Sequence, residues 1–166
     1  NAFSSCTALT SIGAMDSLQS IGSSAFSDCV SLSNIPSSQS LKSIGDLAFF
    51  NCVSLQSVAI PATLTTLGEN VFGDCTSLQT FAIENGNTAF SVENDVLMNA
   101  EKTTLFCYPP AKTGTTYSVP NTVTEIAPYA FASAADLTDV TLPTGLQTIG
   151  AWAFSQTKLT SITIPN

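Results

Sequence analysis

The sequence predicts a right-handed repeat solenoid, built mostly of short parallel β-strands joined by short helical or 3-10 turns. The main observation is a pair, Ala-Phe or once Val-Phe, that recurs every 23 residues in two runs. The pairs end at Phe3, Phe26, Phe49 and Phe72 in the first run and at Phe131 and Phe154 in the second. A second observation is that similar leucine, isoleucine and glycine positions recur around these pairs. One such unit cannot bury its own apolar side, so units of fixed length are expected to stack on their neighbours.

Residues 41–61 form one complete unit and show why each element is expected. Residues 55–60 end in an alternation of apolar and small residues, which is typical of a short strand with one buried face. Pro61 lacks an amide donor and ends that strand. Residues 41–45 form a second short extended segment, whose final glycine allows the turn that follows. The Ala48-Phe49 pair then fills the interior from this turn.

The repeat unit reads I-P-x-x-L-x-x-I-G-x-x-A-F-x-x-C-x-x-L-x-x-V-x-I-P and resembles the BspA-like leucine-rich repeats over nearly the whole chain. Proteins of that family lie on the surface of host-associated bacteria and some parasitic protists, or are secreted by them. The resemblance implies a solenoid with parallel strands on its concave side. It also implies adhesion or the binding of host proteins. We therefore expect residues 1–166 to form one leucine-rich-repeat solenoid of about seven coils.

Residues 84–118 interrupt the repeat, because 59 residues separate Phe72 from Phe131. Two apolar segments, residues 96–98 and 105–108, flank a polar stretch and predict a β-hairpin with a longer loop. Members of the BspA-like family often carry a similar insertion with a D-G-V-L-like strand. Here Asn94-Asp95 precedes the strand without that glycine, so the turn geometry is left open. The insertion is either a structural decoration or a projecting binding element.

Composition argues against several classes of function. Four Lys and no Arg stand against twelve acidic residues, a formal net charge of -8, which repels phosphate backbones and anionic lipid headgroups. No apolar run approaches the roughly 20 residues that cross a bilayer. The chain has no His, which removes the commonest general base, and no glycine-rich phosphate loop. We expect no catalysis, no cofactor, no nucleic-acid partner and no direct membrane insertion.

Four of the five cysteines repeat with the same period, each three residues after its phenylalanine. They are Cys6, Cys29, Cys52 and Cys75. This spacing predicts a ladder of reduced, buried thiols that act as small apolar fillers. Cys107 stands alone in the insertion, and no Cys/His pattern indicates zinc. Glu93 and Asp95 lie close together but without a calcium-loop pattern, so no metal site is expected.

Two surfaces are candidates for binding. The first is the outward side of the strands, a small, polar and nearly uncharged face, which is either a solvated surface or a broad contact area for a protein or glycan. Its residues are Gln56, Ser57, Gln79, Thr80, Thr138, Asp139, Thr141, Thr160 and Ser161. The second surface is formed by Tyr129 and Trp152, which precede the Ala-Phe pairs of neighbouring coils. They are expected to anchor a partner, to stack on a sugar ring, or to cover the flank of the rod.

We therefore predict an extracellular or surface-displayed binding module, with adhesion to host or matrix proteins or glycans as its role. The alternative is a rigid spacer that binds nothing and displays another domain. The repeat consensus runs to both ends of the chain. We expect a fragment whose signal and anchor lie elsewhere, and end-to-end self-association through an exposed end coil.

Overall fold

The computed structural model describes residues 1–165 as a parallel β-solenoid of about six turns. The sequence estimate of about seven coils includes the interrupted coil, whose outer part is shortened. The strands are β1 (Ser20–Ile21), β2 (Ser43–Ile44), β3 (Ser57–Ile60), β4 (Thr66–Leu67), β5 (Thr80–Ile83), β6 (Phe90–Glu93), β7 (Val96–Asn99), β8 (Thr104–Cys107), β9 (Thr116–Ser118), β10 (Glu125–Ile126), β11 (Asp139–Thr141) and β12 (Thr148–Ile149). No helix in the described residues is long and apolar enough to cross a membrane.

Two parallel ladders run along the solenoid. In the first ladder, β1 pairs with β2 and β2 with β4, so that Ile21 lies beside Ile44 and Ile44 beside Leu67. The same ladder resumes with β8, β10 and β12. The second ladder consists of β3 beside β5 and β9 beside β11, with Val58 beside Phe81. Regular partners are 23 residues apart, so one sequence repeat is one turn of the solenoid, and the predicted fold class is confirmed.

Each coil makes an outer turn between its first-ladder and second-ladder strands. The expectation of helical or 3-10 turns is wrong, because none of the described residues 1–165 lies in a helix. Each regular outer turn instead holds two residues with left-handed backbone, as at Leu47 with a φ of 57° and Asn51 with a φ of 58°. A helix needs consecutive residues with negative φ, so these two residues prevent it.

The outer turns are held by hydrogen bonds between coils. Alternate amides donate to the next coil: Leu47 N to Glu69 O at 3.0 Å, Phe49 N to Val71 O at 3.0 Å, and Asn51 N to Gly73 O at 2.8 Å. We call these three bonds, and the equivalent bonds of other coils, the turn rungs. They let an irregular turn satisfy its backbone in the manner of a strand.

The interior is organised around stacked phenylalanine rings. The ring centroids of Phe3, Phe26, Phe49 and Phe72 lie 5.1, 5.3 and 6.0 Å apart in succession, with interplanar angles of 9°, 3° and 7°. Phe49 is fully buried. Offset aromatic pairs contribute about 0.5–1.5 kcal/mol beyond the area they bury. The stack therefore stabilises each interface between adjacent coils.

Tyr108 takes the place of phenylalanine in the interrupted coil. Its ring stacks on Phe131 with centroids 5.3 Å apart, and its amide donates to Ala130 O at 2.7 Å, as a regular turn rung would. Tyr108 follows the β8 residue Leu105 by three positions, whereas Phe131 follows the equivalent β10 residue Ile126 by five. The interrupted coil thus lacks two residues of its outer turn.

The insertion contributes its central strand to the core, while residues 85, 86, 94, 101 and 113–116 are exposed. β6, β7 and β8 form an antiparallel meander, and β7 is buried on both faces. Leu97 packs with the core of the N-terminal coils, while Val96 and Met98 pack with that of the C-terminal coils. The β6–β7 turn forms without glycine, because Asn94 and Asp95 adopt φ values of 49° and 67°. Asn and Asp tolerate this left-handed region better than other side chains do.

Asp95 fastens this turn to the second ladder. Thr80 Oγ1 donates to Asp95 Oδ1 at 2.9 Å, and Lys112 Nζ donates to Asp95 Oδ2 at 2.9 Å. The hydrogen bonds from Lys112 and then Thr80 lower the pKa of the Asp95 carboxyl. The neighbouring Glu93 is paired with Lys102 at 2.6 Å. Each of the two carboxylates is thus paired with a lysine.

We predict that Phe49→Ala lowers the free energy of unfolding by about 3–5 kcal/mol, because a fully buried aromatic leaves a cavity. Urea unfolding followed by circular dichroism measures it. Phe3→Ala is the matched control, because Phe3 stacks on one neighbour only and is 49% exposed. It should cost less than half as much. Equal losses would show that stacking along the interior is not what stabilises the coils.

We predict that Lys112→Met destabilises the protein at neutral pH and not in strong acid. The lowered pKa of Asp95 means that its carboxylate stabilises the fold above the unfolded value near 3.9, and that this stabilisation disappears as pH falls through the folded value. Urea midpoints at pH 7 and pH 2 should therefore differ between the variant and the parent only at pH 7. Lys158→Met is the control, since Lys158 pairs with Asp136 at 3.7 Å and both are exposed. A Lys112→Met effect that persists in acid would contradict the ion-pair account.

Candidate functional site

The predicted strand surface is divided in the structure. Ser57 and Thr80 are register partners in β3 and β5, and Asp139 and Thr141 lie in β11. The second ladder is split into two separate two-stranded sheets, with the insertion following β5. Thr80 is half-buried and bonded to Asp95, so it supports the insertion. The remaining predicted positions are exposed but share no single continuous sheet; these are Gln56, Gln79, Thr138, Thr160 and Ser161.

Three of the four repeated cysteines are buried as predicted, but the prediction is wrong for Cys6, which is exposed because no earlier coil covers the first one. The thiols of Cys29, Cys52 and Cys75 donate to the carbonyls of Phe3, Phe26 and Phe49, at 3.2, 3.3 and 3.2 Å. All five cysteines are free. Burial raises the pKa of the Cys52 thiol to about 12 and raises that of Cys75 as well. These thiols stay protonated at neutral pH and are poor nucleophiles.

Each regular outer turn contains two left-handed residues. The first of the two occupies an equivalent position in successive coils, and we call these residues the turn row. They are Ser24, Leu47, Asn70, Tyr129 and Trp152, with φ between 52° and 61°. The amide of Tyr129 donates to Ala151 O at 3.0 Å, which places Tyr129 and Trp152 on adjacent turns, as the spacing suggested. Trp152 is 67% exposed and Leu47 is 37% exposed. A shallow depression of about 610 Å³ connects Leu47, Asn70, Tyr129 and Trp152.

Three members of the turn row are large and nonetheless left-handed. Left-handed backbone at a bulky residue is rare and costs on the order of 1–3 kcal/mol. Ser24 and Asn70 occupy the same position in other coils, so the fold does not require a large side chain there. Leu47, Tyr129 and Trp152 therefore add apolar outer surface at the expense of backbone strain.

A cleft of about 260 Å³ opens where the interrupted coil is short. One wall is the outer turn that contains Asn70, and the other is the outer turn that contains Tyr129. Phe106, Cys107 and Pro110 lie between them. Ser133 Oγ donates to Asp74 Oδ1 and joins the two turns beside the cleft. Burial raises the pKa of the Cys107 thiol to about 12, so this residue contributes apolar surface and no nucleophile.

Sequence reasoning did not identify this cleft, although its signal is present. The segment L-F-C-Y reaches its aromatic residue in two fewer positions than I-A-P-Y-A-F does in the following coil. A shorter path across a repeat implies that part of an outer turn is missing. Among the described residues, no group of three or more His, Cys, Asp or Glu side chains is arranged to hold a metal ion.

Comparison of structures identifies similar proteins of known fold. The pneumococcal vaccine antigen PcpA is 36% identical, with a TM-score of 0.89 over 95% of this chain and 40% of that protein. A leucine-rich repeat protein from Eubacterium ventriosum is 28% identical, with a TM-score of 0.79 over 92% of this chain and 46% of the other. A leucine rich cell surface protein from Faecalibacterium prausnitzii, at 23% identity and a TM-score of 0.56, covers 92% of this chain and 54% of its own and shares the fold. The chain thus spans only about half the length of these proteins or less.

Sequence comparison assigns the repeat itself. None of the curated proteins shows a significant match to the chain. The BspA type Leucine rich repeat region matches in six copies, over residues 1–105 and 102–166. These matches extend over the regular coils and the interruption alike, in agreement with the 23-residue frame and the ladder register. The chain belongs to the BspA type leucine-rich-repeat family.

Proposed function

We propose that this chain is an extracellular or cell-surface binding module that attaches to host or matrix proteins or glycans through its turn row. Membership of the BspA type family and the 36% identity to a pneumococcal vaccine antigen support a location outside the cell. The fold supports binding rather than chemistry, since solenoids offer long surfaces on a rigid backbone. Adhesion is the role that such a module would serve.

The strained aromatic residues of the turn row are the observation that carries this proposal. Trp152 is 67% exposed, and Tyr129 lies on the adjacent turn. Trp and Tyr dominate the energetics of interfaces, because they bury a large area with few rotatable bonds. The exposed part of these side chains does not stabilise the fold, so it does not offset the cost of their left-handed backbone. Their retention on the surface is explained by contact with a partner.

Charge restricts the partner. Asp28 and Asp74 line the same depression as Trp152, and the whole chain carries a formal net charge of -8. An anionic polysaccharide would be repelled by this surface. A neutral sugar stacked on Trp152, or a basic patch of a protein, satisfies both the apolar and the acidic parts of the depression.

The same features argue against an enzyme. The chain has no His, and burial raises the pKa values of the Cys52, Cys75 and Cys107 thiols far from the physiological range. A thiolate nucleophile is therefore not favoured at these positions. We infer a non-catalytic scaffold.

The second candidate is a rigid spacer that displays another domain and binds nothing itself. Its support is the stiffness implied by the stacked rings, whose interplanar angles from Phe3 to Phe72 stay within 9°. The strand face adds to this, because its exposed residues include no aromatic side chain or arginine to anchor a partner. A spacer does not account for the large residues of the turn row.

We predict saturable binding of the immobilised chain to at least one of fibronectin, fibrinogen, mucin or a neutral glycan panel, measured by interferometry. Trp152→Ala should weaken it about thirty-fold, the loss typical of an interface hot spot. Leu18→Ala is the matched control, because Leu18 is also exposed, at 41%, but lies outside the turn row. Trp152 is the only tryptophan, so its emission should shift on binding and report contact directly.

Two outcomes would contradict this proposal. Binding that survives Trp152→Ala but is lost in Gln56→Ala/Gln79→Ala would place the site on the strand face. No binding at micromolar concentrations of any of these ligands would favour the spacer.

A further inference from the structure

Regular coils satisfy the amides of one outer turn with the carbonyls of the next. The amides of Leu47, Phe49 and Asn51 all donate in this way to the following coil. Phe131 and Tyr129 repeat the arrangement in the C-terminal half, donating to Ala153 O at 2.7 Å and to Ala151 O at 3.0 Å. Each turn thus presents donors on one side and acceptors on the other.

The turn before the interrupted coil departs from this rule. The amides of Asn70, Phe72 and Asp74 hold the three donor positions, yet none has a hydrogen-bond acceptor among the described residues. The reason is the shortened path from Leu105 to Tyr108, which removes the residues that would present carbonyls to this wall. Asn70 and Phe72 line the cleft.

The opposite wall carries the matching acceptors. Pro128 O and Ala132 O occupy positions that accept turn rungs in other coils, as Glu69 O and Gly73 O do. Only the middle acceptor of this wall, Ala130 O, is used, by the amide of Tyr108. Pro128 and Ala132 both line the cleft. Within residues 1–165, neither carbonyl receives a hydrogen bond.

The two walls therefore resemble facing sheet edges with a strand left out between them. Adjacent strands lie about 4.8 Å apart, so a single extended segment placed between two edges can bond to both. The floor is apolar at Phe106 and Pro110, which suits the side chain of such a segment. Addition of a strand to an open edge is a recurrent mode of peptide recognition.

The charge of the residues that line the cleft restricts which ligands could accept hydrogen bonds from its unpaired amides. A carboxylate or phosphate would accept their hydrogen bonds, but Glu69 and Glu125 line the cleft and no lysine does. Two carboxylates at the rim oppose a second anion and favour a cation. The ligand that fits is a neutral backbone with a basic side chain.

We propose that this cleft binds a short extended peptide segment of a partner protein, which supplies the missing part of the outer turn. Its carbonyls accept from the amides of Asn70 and Phe72, and one of its amides donates to Pro128 O, since the amide of Tyr108 already holds the next acceptor, Ala130 O. An apolar side chain contacts Phe106, and a lysine or arginine next to it lies towards Glu69. This inference rests on the proposed role in protein binding and assigns it a second site, separate from Trp152.

The test uses the isotope-labelled chain and a capped peptide, acetyl-Thr-Lys-Val-Lys-Thr-amide, followed by amide chemical shifts. We expect saturable shifts at Asn70 and Phe72. The same peptide N-methylated at Val alone keeps every side chain but loses one donor, and it should bind about fivefold more weakly, as expected for about 1 kcal/mol of lost hydrogen bonding. A peptide with Glu in place of both Lys should also bind more weakly.

Protein variants provide the matched controls. Glu69→Gln should weaken the lysine peptide about two- to fivefold, as loss of an exposed ion pair does. Glu101→Gln removes an exposed acidic side chain outside the cleft and should change nothing. Trp152→Ala should also leave peptide binding unchanged, so failure here is distinguishable from failure of the turn-row proposal. Absence of shifts at Asn70 and Phe72 at millimolar peptide, or equal binding of the N-methylated peptide, would overturn the proposal.

Discussion

The turn rung between coils is the interaction on which the rest of this structure depends. A 23-residue coil has too few strand residues to satisfy its backbone in sheets alone, since several of its strands contain only two residues. Two left-handed residues in each regular outer turn aim alternate amides at the next coil, as in the bonds from Leu47 and Asn51. The bonds keep the coils in register, and that register stacks the phenylalanine rings and brings each buried thiol to a carbonyl of the preceding coil.

The surface features follow from the same constraint. None of the turn-row residues is buried, so the turn row is a place where side chains can change without disturbing the core. Leu47, Tyr129 and Trp152 use that freedom, at a cost in backbone strain. Where the interrupted coil omits two turn residues, the rungs lose their acceptors and a cleft opens beside Asn70. Both candidate sites are therefore local consequences of how the turns are built.

Much of the fold could be predicted from the sequence, because the apolar residues that recur every 23 positions indicate which side chains are buried. The period of Phe26, Phe49 and Phe72 predicts their stacking, and the matching period of the cysteines predicts buried thiols, except in the first coil, where Cys6 is exposed. The turn conformation could not be predicted, since Leu47 and Trp152 are among the residues least expected in left-handed backbone.

The burial of the insertion was open to inference, because the apolar run Val96, Leu97 and Met98 in β7 is typical of a strand covered on both faces. The strand surface was predicted as one candidate, whereas the structure divides it into two sheets.

Amide hydrogen exchange, resolved by residue, tests the central claim most directly. The account holds that the turn rungs are formed between regular coils and are absent at the interrupted one. It predicts slow exchange at Leu47, Phe49 and Asn51, whose amides bond to the next coil, and markedly faster exchange at Asn70, Phe72 and Asp74 in the adjacent turn. Equal protection of the two sets would contradict it, because the cleft would then be closed by bonds that leave no free edge for a partner.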